Sequence, residues 1–167
     1  CDDYKLGGSS FGQILGQIGK NTPTIKDSTF VVNVFNTVQD LIRKDLIIAG
    51  HDVSSGGLIT TIMEMCFADN NLAANIDLTA IGEKDSIKML FSENPGIVIQ
   101  SKDQSIEQIL DTKEINYYKI GNVTTEKKLL LKNHSDSYEI NIEEYRDYWF
   151  KTSMLLDKKQ TANNLSE

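Results

Sequence analysis

The sequence predicts an α+β domain, an α/β sandwich with a mixed sheet. Apolar residues recur at helical spacing in several segments, and short alternating or continuous apolar runs lie between them. Three of those runs follow one another late in the chain, which disfavours a doubly wound parallel fold. With 167 residues, 40% of them hydrophobic and 25% charged, the chain is long enough for one domain with a real core.

The first helix is expected in "SSFGQILGQIG", where Ser9 or Ser10 caps the start, Phe11, Ile14, Leu15 and Ile18 share a face, and Gly19 ends it. After the loop "KNTPTIKD", a longer helix should run from about Ser28 to Asp45, with Val31, Val34, Phe35, Val38, Leu41 and Ile42 at helical spacing and Arg43 and Lys44 at the end where cations suit the dipole. "LIIAG" reads as a short buried strand, and Leu58 to Ala68 as a helix with an apolar stripe. "AANIDLT" alternates like a half-buried strand, "KDSIKMLFSE" reads as a helix, "GIVIQS" as a strand and "DQSIEQILDT" as a helix. "NYYKIGNVT", "KKLLLKN" and "SYEINI" are the three consecutive strands, and a last helix runs from about Ile142 to Leu156. Beyond it the chain loses apolar content, so the expected division is a domain at 1–157 and a polar linker at 158–167 toward a following domain.

Charge and cysteine usage narrow the function. The formal net charge is −7 and the Lys and Arg residues are scattered, which argues against a nucleic-acid partner. A free nucleotide or sugar phosphate stays possible, held by main-chain N–H groups or through Mg²⁺. Cys1 and Cys66 form neither a disulfide framework nor a CxxC pair, and a reducing, cytoplasmic setting is expected. No apolar run approaches the roughly 20 residues of a membrane span, and no leader opens the chain, so no membrane partner is expected. A start at Cys1 without methionine suggests an excised piece of a longer polypeptide.

One stretch carries chemistry more than the rest. In "HDVSSGG" a strand hands over to a helix, where free N–H groups and the positive dipole end favour an anion. Gly56 and Gly57 would let backbone approach a phosphate, Ser54 and Ser55 could cap the helix or donate to oxygen, and Asp52 could offer a carboxylate to Mg²⁺. The same residues also suit a plain capped turn. "LGGSS" has similar logic but lacks the lysine and spacing of a P-loop. Glu93 is either a pocket-rim or a solvated carboxylate, and Glu64 either a surface or a paired one. Cys66 reads as core, and His51 and His134 show no zinc-site spacing.

Taken in chain order, "LGGSSFGQILGQIG", "LIIAGHDVSSGGLITTIMEMCFADN", "IDLT", "LFSENPGIVIQ", "KIGNVT" and "YWFKTSMLLD" resemble the C-terminal type of domain of the aminoimidazole ribonucleotide synthetase superfamily. The resemblance covers nearly the whole chain, and the tail looks like that of the large ligase members, just ahead of their glutaminase domain. It implies a part in the ATP-dependent conversion of formylglycinamide ribonucleotide and glutamine to the amidine, with ATP activating the amide oxygen and ammonia displacing the phosphate. It also implies ATP and Mg as cofactors and, as partners, the other domains of the same chain, N-terminal-type domains and glutaminase domain included. The site would lie between domains, leaving this one inactive alone. By the same resemblance Gly7, Gly8 and Ser9 would face a phosphate, Asp52 would be a Mg²⁺ ligand, and Glu93 would lie near the pocket beside Ser54, Gly56 and Gly57. Many relatives read "HDxSDGG", so Ser55 replaces one acidic group, and the site could belong to a catalytic or a structural nucleotide. The competing expectations are a purely structural interdomain module and a domain of a related kinase or selenophosphate synthetase. A piece lacking its neighbours is further expected to expose an apolar face and to self-associate.

Overall fold

The computed structural model of the protein describes residues 3–69 and 71–161. The elements among them are α1 (Ser10–Ile14), α2 (Ser28–Arg43), β1 (Ile47–Asp52), α3 (Gly57–Cys66), β2 (Ala73–Asp77), a 3-10 turn (Thr79–Ile81), α4 (Ser86–Phe91), β3 (Ile97–Ser101), α5 (Ser105–Thr112), β4 (Gly121–Thr124), β5 (Lys128–Asn133), β6 (Asp136–Asn141) and α6 (Ile142–Gln160). The fold is α+β and its main sheet is mixed. The strands lie in the order β4-β2-β5-β6, with β2 parallel to β5 and the outer pairs antiparallel. A separate antiparallel pair, β1 with β3, sets His51 opposite Val98 and Asp52 opposite Ile97.

Two apolar clusters hold these layers. The larger packs Ile59, Ile62 and Cys66 of α3 and Met89 and Leu90 of α4 against Ala73 and Ala74 of β2 and Leu129 and Leu131 of β5. Alternation along β5 explains the choice: Leu129, Leu131 and Asn133 face inward while Lys128, Leu130 and Lys132 face out. The smaller cluster joins Leu41 of α2 to Ile106 and Leu110 of α5 and to Ile115. As expected, Cys66 is core, and burial pushes its thiol up to about 11, far from nucleophilic.

Several expected boundaries and faces change. α1 is a single turn that stops at Ile14, short of Gly19, because the chain folds back so that Gln17 N donates to Gly12 O. Its Ile14, Leu15 and the following Ile18 are exposed. α2 is turned from the expected face: Thr37 and Leu41 are buried, while Val31, Phe35 and Ile42 are exposed. Asp27, Asp85 and Asn141 cap α2, α4 and α6 through their side chains. "LIIAG" is not a buried strand. It pairs with β3 only, stays largely exposed and extends two residues further to carry His51 and Asp52. The strand over "NYYKIGNVT" shrinks to Gly121–Thr124. α6 passes Leu156 to Gln160, since Lys158 and Lys159 suit a helix C-terminus. Thus 158–160, expected to be linker, are helical, and residues 162–167 of that linker lie outside the described residues, as does Cys1.

Candidate functional site

The strand-to-helix turn "HDVSSGG" joins β1 to α3. Val53 N donates to Gly96 O at 2.8 Å, tying the turn to the start of β3. Thr61, one helical turn and more into α3, donates through Oγ1 to Asp52 O at 3.2 Å, so the helix holds the main chain of the aspartate. The Asp52 side chain itself is 77% exposed.

Gly56 and Gly57 both adopt left-handed backbone, with φ of 89° and 75°. A Cβ on Gly56 would lie 2.3 Å from Thr60 Oγ1, and one on Gly57 would lie 2.6 Å from Leu90 O. Gly57 is therefore needed to bring α3 against the end of α4, and Gly56 to let the turn pass the Thr60 side chain of α3, both independently of any ligand. Gly56 is the N-cap of α3 and no side chain caps the helix. The expected capping by Ser54 or Ser55 does not occur. Both serines are exposed, beside the positive end of a ten-residue helix.

Glu93 links the two glycine motifs. Its Oε1 accepts from Ser10 N at 2.8 Å and from Gly56 N at 3.0 Å. Burial pushes its carboxyl up, but those N–H groups outweigh burial and hold it below the ordinary glutamate range. Phe11 stacks on Phe91 at 4.7 Å beside this joint. The N–H groups of "LGGSS" are turned inward: Gly7 N donates to Asn21 O, Gly8 N to Ile18 O and Ser9 N to Leu6 O. Ser9, 1% exposed, caps α1 by accepting from Gly12 N at 3.1 Å and donates to Leu6 O at 2.6 Å. That motif is occupied with its own loop, whereas the Asp52–Ser54–Ser55 corner is open.

For Mg²⁺ the donor chemistry is a hard oxygen from one exposed carboxylate, which fits an ion that takes one or two carboxylates and completes its shell with water and phosphate. Among the described residues no group of three or more His, Cys, Asp or Glu can hold a metal. Nor is any helix among them long and apolar enough to cross a membrane.

One connection escaped sequence reasoning. His51 Nε2 lies 3.1 Å from Glu64 Oε2, and Trp149 of α6 donates through Nε1 to Glu64 Oε1 at 2.9 Å. Glu64 is thus a paired carboxylate. The available signal was its place three residues after Thr61, on the same side of α3 and facing the same strand end.

The chain is a mixed-sheet α+β domain whose strand-to-helix corner at Asp52, Ser54 and Ser55 lies open to solvent. Residues 4–132 match the family described as AIR synthase related protein, C-terminal domain, and the chain belongs to that family. A probable phosphoribosylformylglycinamidine synthase of Arabidopsis thaliana, chloroplastic/mitochondrial, is 37% identical over 93% of this chain and 11% of its own. The human phosphoribosylformylglycinamidine synthase is 34% identical over 64% of this chain and 8% of its own. The major tegument protein of Epstein-Barr virus is 32% identical over 71% of this chain and 9% of its own. The chain thus spans about a tenth of the length of these relatives. Among solved structures, PurLQS from Thermotoga maritima aligns with a TM-score of 0.60 at 18% identity, over 84% of this chain and 24% of that one. T. maritima PurL complexed with ATP aligns with a TM-score of 0.58 at 18% identity, over 83% and 23%. Both show the fold.

Proposed function

We propose that the chain is a domain of an ATP-dependent ligase of purine biosynthesis, converting formylglycinamide ribonucleotide and glutamine to formylglycinamidine ribonucleotide, and that it supplies one wall of a nucleotide site. The observation that carries this reading is the exposed Asp52 carboxylate beside the uncapped N-terminus of α3. Support comes from the synthase relatives and from the ATP complex of the structural neighbour.

In this reading Asp52 holds Mg²⁺, and the ion when bound neutralises nucleotide phosphate charge. Ser54 donates to a phosphate oxygen, and the dipole of α3 favours the anion. The amide of Gly56 is held by Glu93, so the glycine pair shapes the corner while Ser54 and Asp52 meet the ligand. Gly7, Gly8 and Ser9 support the corner through Ser10 and Glu93. N-terminal-type and glutaminase domains of the longer enzyme complete the site and deliver ammonia. The test is Asp52→Ala in that enzyme: loss of amidine and ADP formation, or a sharply raised Mg²⁺ requirement, is expected, and unchanged turnover with unchanged nucleotide content overturns the metal role.

A second reading rests on a specific relative. The name of the viral tegument protein contains no ligase, and it shares this domain at 32% identity. On that reading the domain is an interdomain scaffold, and unchanged turnover in the Asp52 variant favours it.

A further inference from the structure

Beyond the corner itself, we infer that Trp149 is a positioning residue for Asp52, acting from α6 through a side-chain relay; this rests on the metal-corner reading above. The relay is continuous. Trp149 Nε1 donates to Glu64 Oε1 at 2.9 Å, and Glu64 Oε2 faces His51 Nε2 at 3.1 Å. The other ring nitrogen, Nδ1, lies 2.7 Å from Asp52 O. That carbonyl can only accept, so Nδ1 is its donor; Glu64 Oε2 is an acceptor as well, so the link to it is complete when Nε2 also carries a proton. Thr61 Oγ1 shares its one proton between Asp52 O at 3.2 Å and Gly57 O at 3.3 Å.

Three elements converge on one peptide group: β1 carries it, α3 supplies Thr61 and Glu64, and α6 supplies the indole. Among the described residues Oε1 of Glu64 meets the indole and Oε2 meets His51, so loss of either partner leaves the carboxylate freer to rotate away from the other. The indole is also fixed by rings, tilted on Phe67 at 5.9 Å and edge-on to Phe150 at 4.8 Å. Among the described residues β1 pairs with β3 alone, as an edge strand of a two-stranded sheet, so side-chain bonds matter to its hold at this end. The relay therefore fixes the peptide whose side chain points out at the site, and it connects that peptide to the helix that leads toward the chain's C-terminal end.

Trp149 is the single tryptophan of the sequence, which makes the relay readable. The experiment compares the 167-residue chain with its Trp149→Phe, Glu64→Gln and Glu64→Leu variants by amide hydrogen exchange over residues 50–54, with exchange of the β5 core as the folding control. Glu64→Gln can still accept from the indole through its amide oxygen and, against the neutral ring that keeps its proton on Nδ1, donate its amide to His51 Nε2, so it should exchange like the parent and keep the parent's tryptophan emission. Glu64→Leu and Trp149→Phe should exchange about three- to tenfold faster at 51–53, as expected for loss of one net hydrogen bond, with β5 unchanged. Unchanged exchange at 51–53 in both of these variants, or equal acceleration in Glu64→Gln, overturns the relay. In the longer enzyme, Trp149→Phe should raise the Mg²⁺ concentration needed for half-maximal rate while leaving kcat at saturating Mg²⁺ near the parent's. If exchange changes as stated but Asp52→Ala leaves the Mg²⁺ requirement untouched, the relay stands and the metal reading falls.

Discussion

At Gly57 two requirements coincide, a positive φ and the absence of a Cβ, and each has a separate cost. A left-handed alanine costs about 1–2 kcal/mol, and forcing a Cβ to 2.6 Å from a main-chain oxygen costs a further 1–3 or so. Gly57→Ala should therefore lower stability by about 3 kcal/mol, while Gly82→Ala, at φ 94° with nothing near its Cβ, should cost only about 1–2. Denaturant midpoints of the two variants against the parent check this, and equal costs would show that the α3–α4 approach is looser than described. Glu93 makes a second, pH-dependent prediction. Its carboxyl titrates lower in the folded chain than in the unfolded one, so on acidification the unfolded state takes up its proton first. Its contribution is complete above the ordinary glutamate value of about 4.3 and disappears as pH falls through the lowered folded value. Glu93→Gln should be less stable near neutrality by about 1 kcal/mol, discounted for partial exposure. Below the lowered folded value of Glu93, acid titrations of the two proteins should converge.

Elements show what a sequence can and cannot disclose. A serine cap for α1 was legible, with Ser9 and Ser10 both open to the role and the structure giving it to Ser9; Ser9→Ala should cost about 1–2 kcal/mol, the upper part of the range, since a second bond to Leu6 O is lost with it. Thermal unfolding of that variant measures it, and a cost near zero would mean that water replaces the cap. The helical character of α2 was legible from spacing, but its direction was not. Phe30, Val34, Thr37 and Leu41 form one stripe and Val31, Phe35, Val38 and Ile42 another, each spaced four, three and four. Only the presence of α5 and Ile115 on one side decides that the first turns inward. The glycine pair was legible as a turn, while the reason for Gly57, the close approach of Leu90, is a tertiary fact with no local trace. The strand-to-helix turn at Asp52 was legible in its motif, and the pairing of Glu64 with Trp149 stayed hidden because 85 residues separate the carboxylate from the indole.

For the whole molecule, the excess of apolar surface is the property that follows from these assignments. Ile14, Leu15 and Ile18 beside α1, Val32, Phe35 and Ile42 on α2, and Tyr148, Leu155 and Leu156 on α6 are all about half exposed or more. A core residue of that size stabilises by about 1.5–3 kcal/mol when buried, so association that covers a few of them is favourable. Opposing it is a net charge of −7 on each copy. The 167-residue chain should therefore self-associate, and more strongly at higher salt, because ions screen the charge repulsion over about 10 Å at 0.1 M while leaving apolar contact intact. Sedimentation equilibrium over a wide concentration range, at low and high salt, measures this. Phe35→Glu should shift the curve toward monomer if α2 takes part, since it removes a half-exposed ring from the stripe and adds charge of the repelling sign. Association that weakens with salt would identify ion pairs as its source, and a monomer at every concentration and salt would show that the exposed side chains are too dispersed to form a contact.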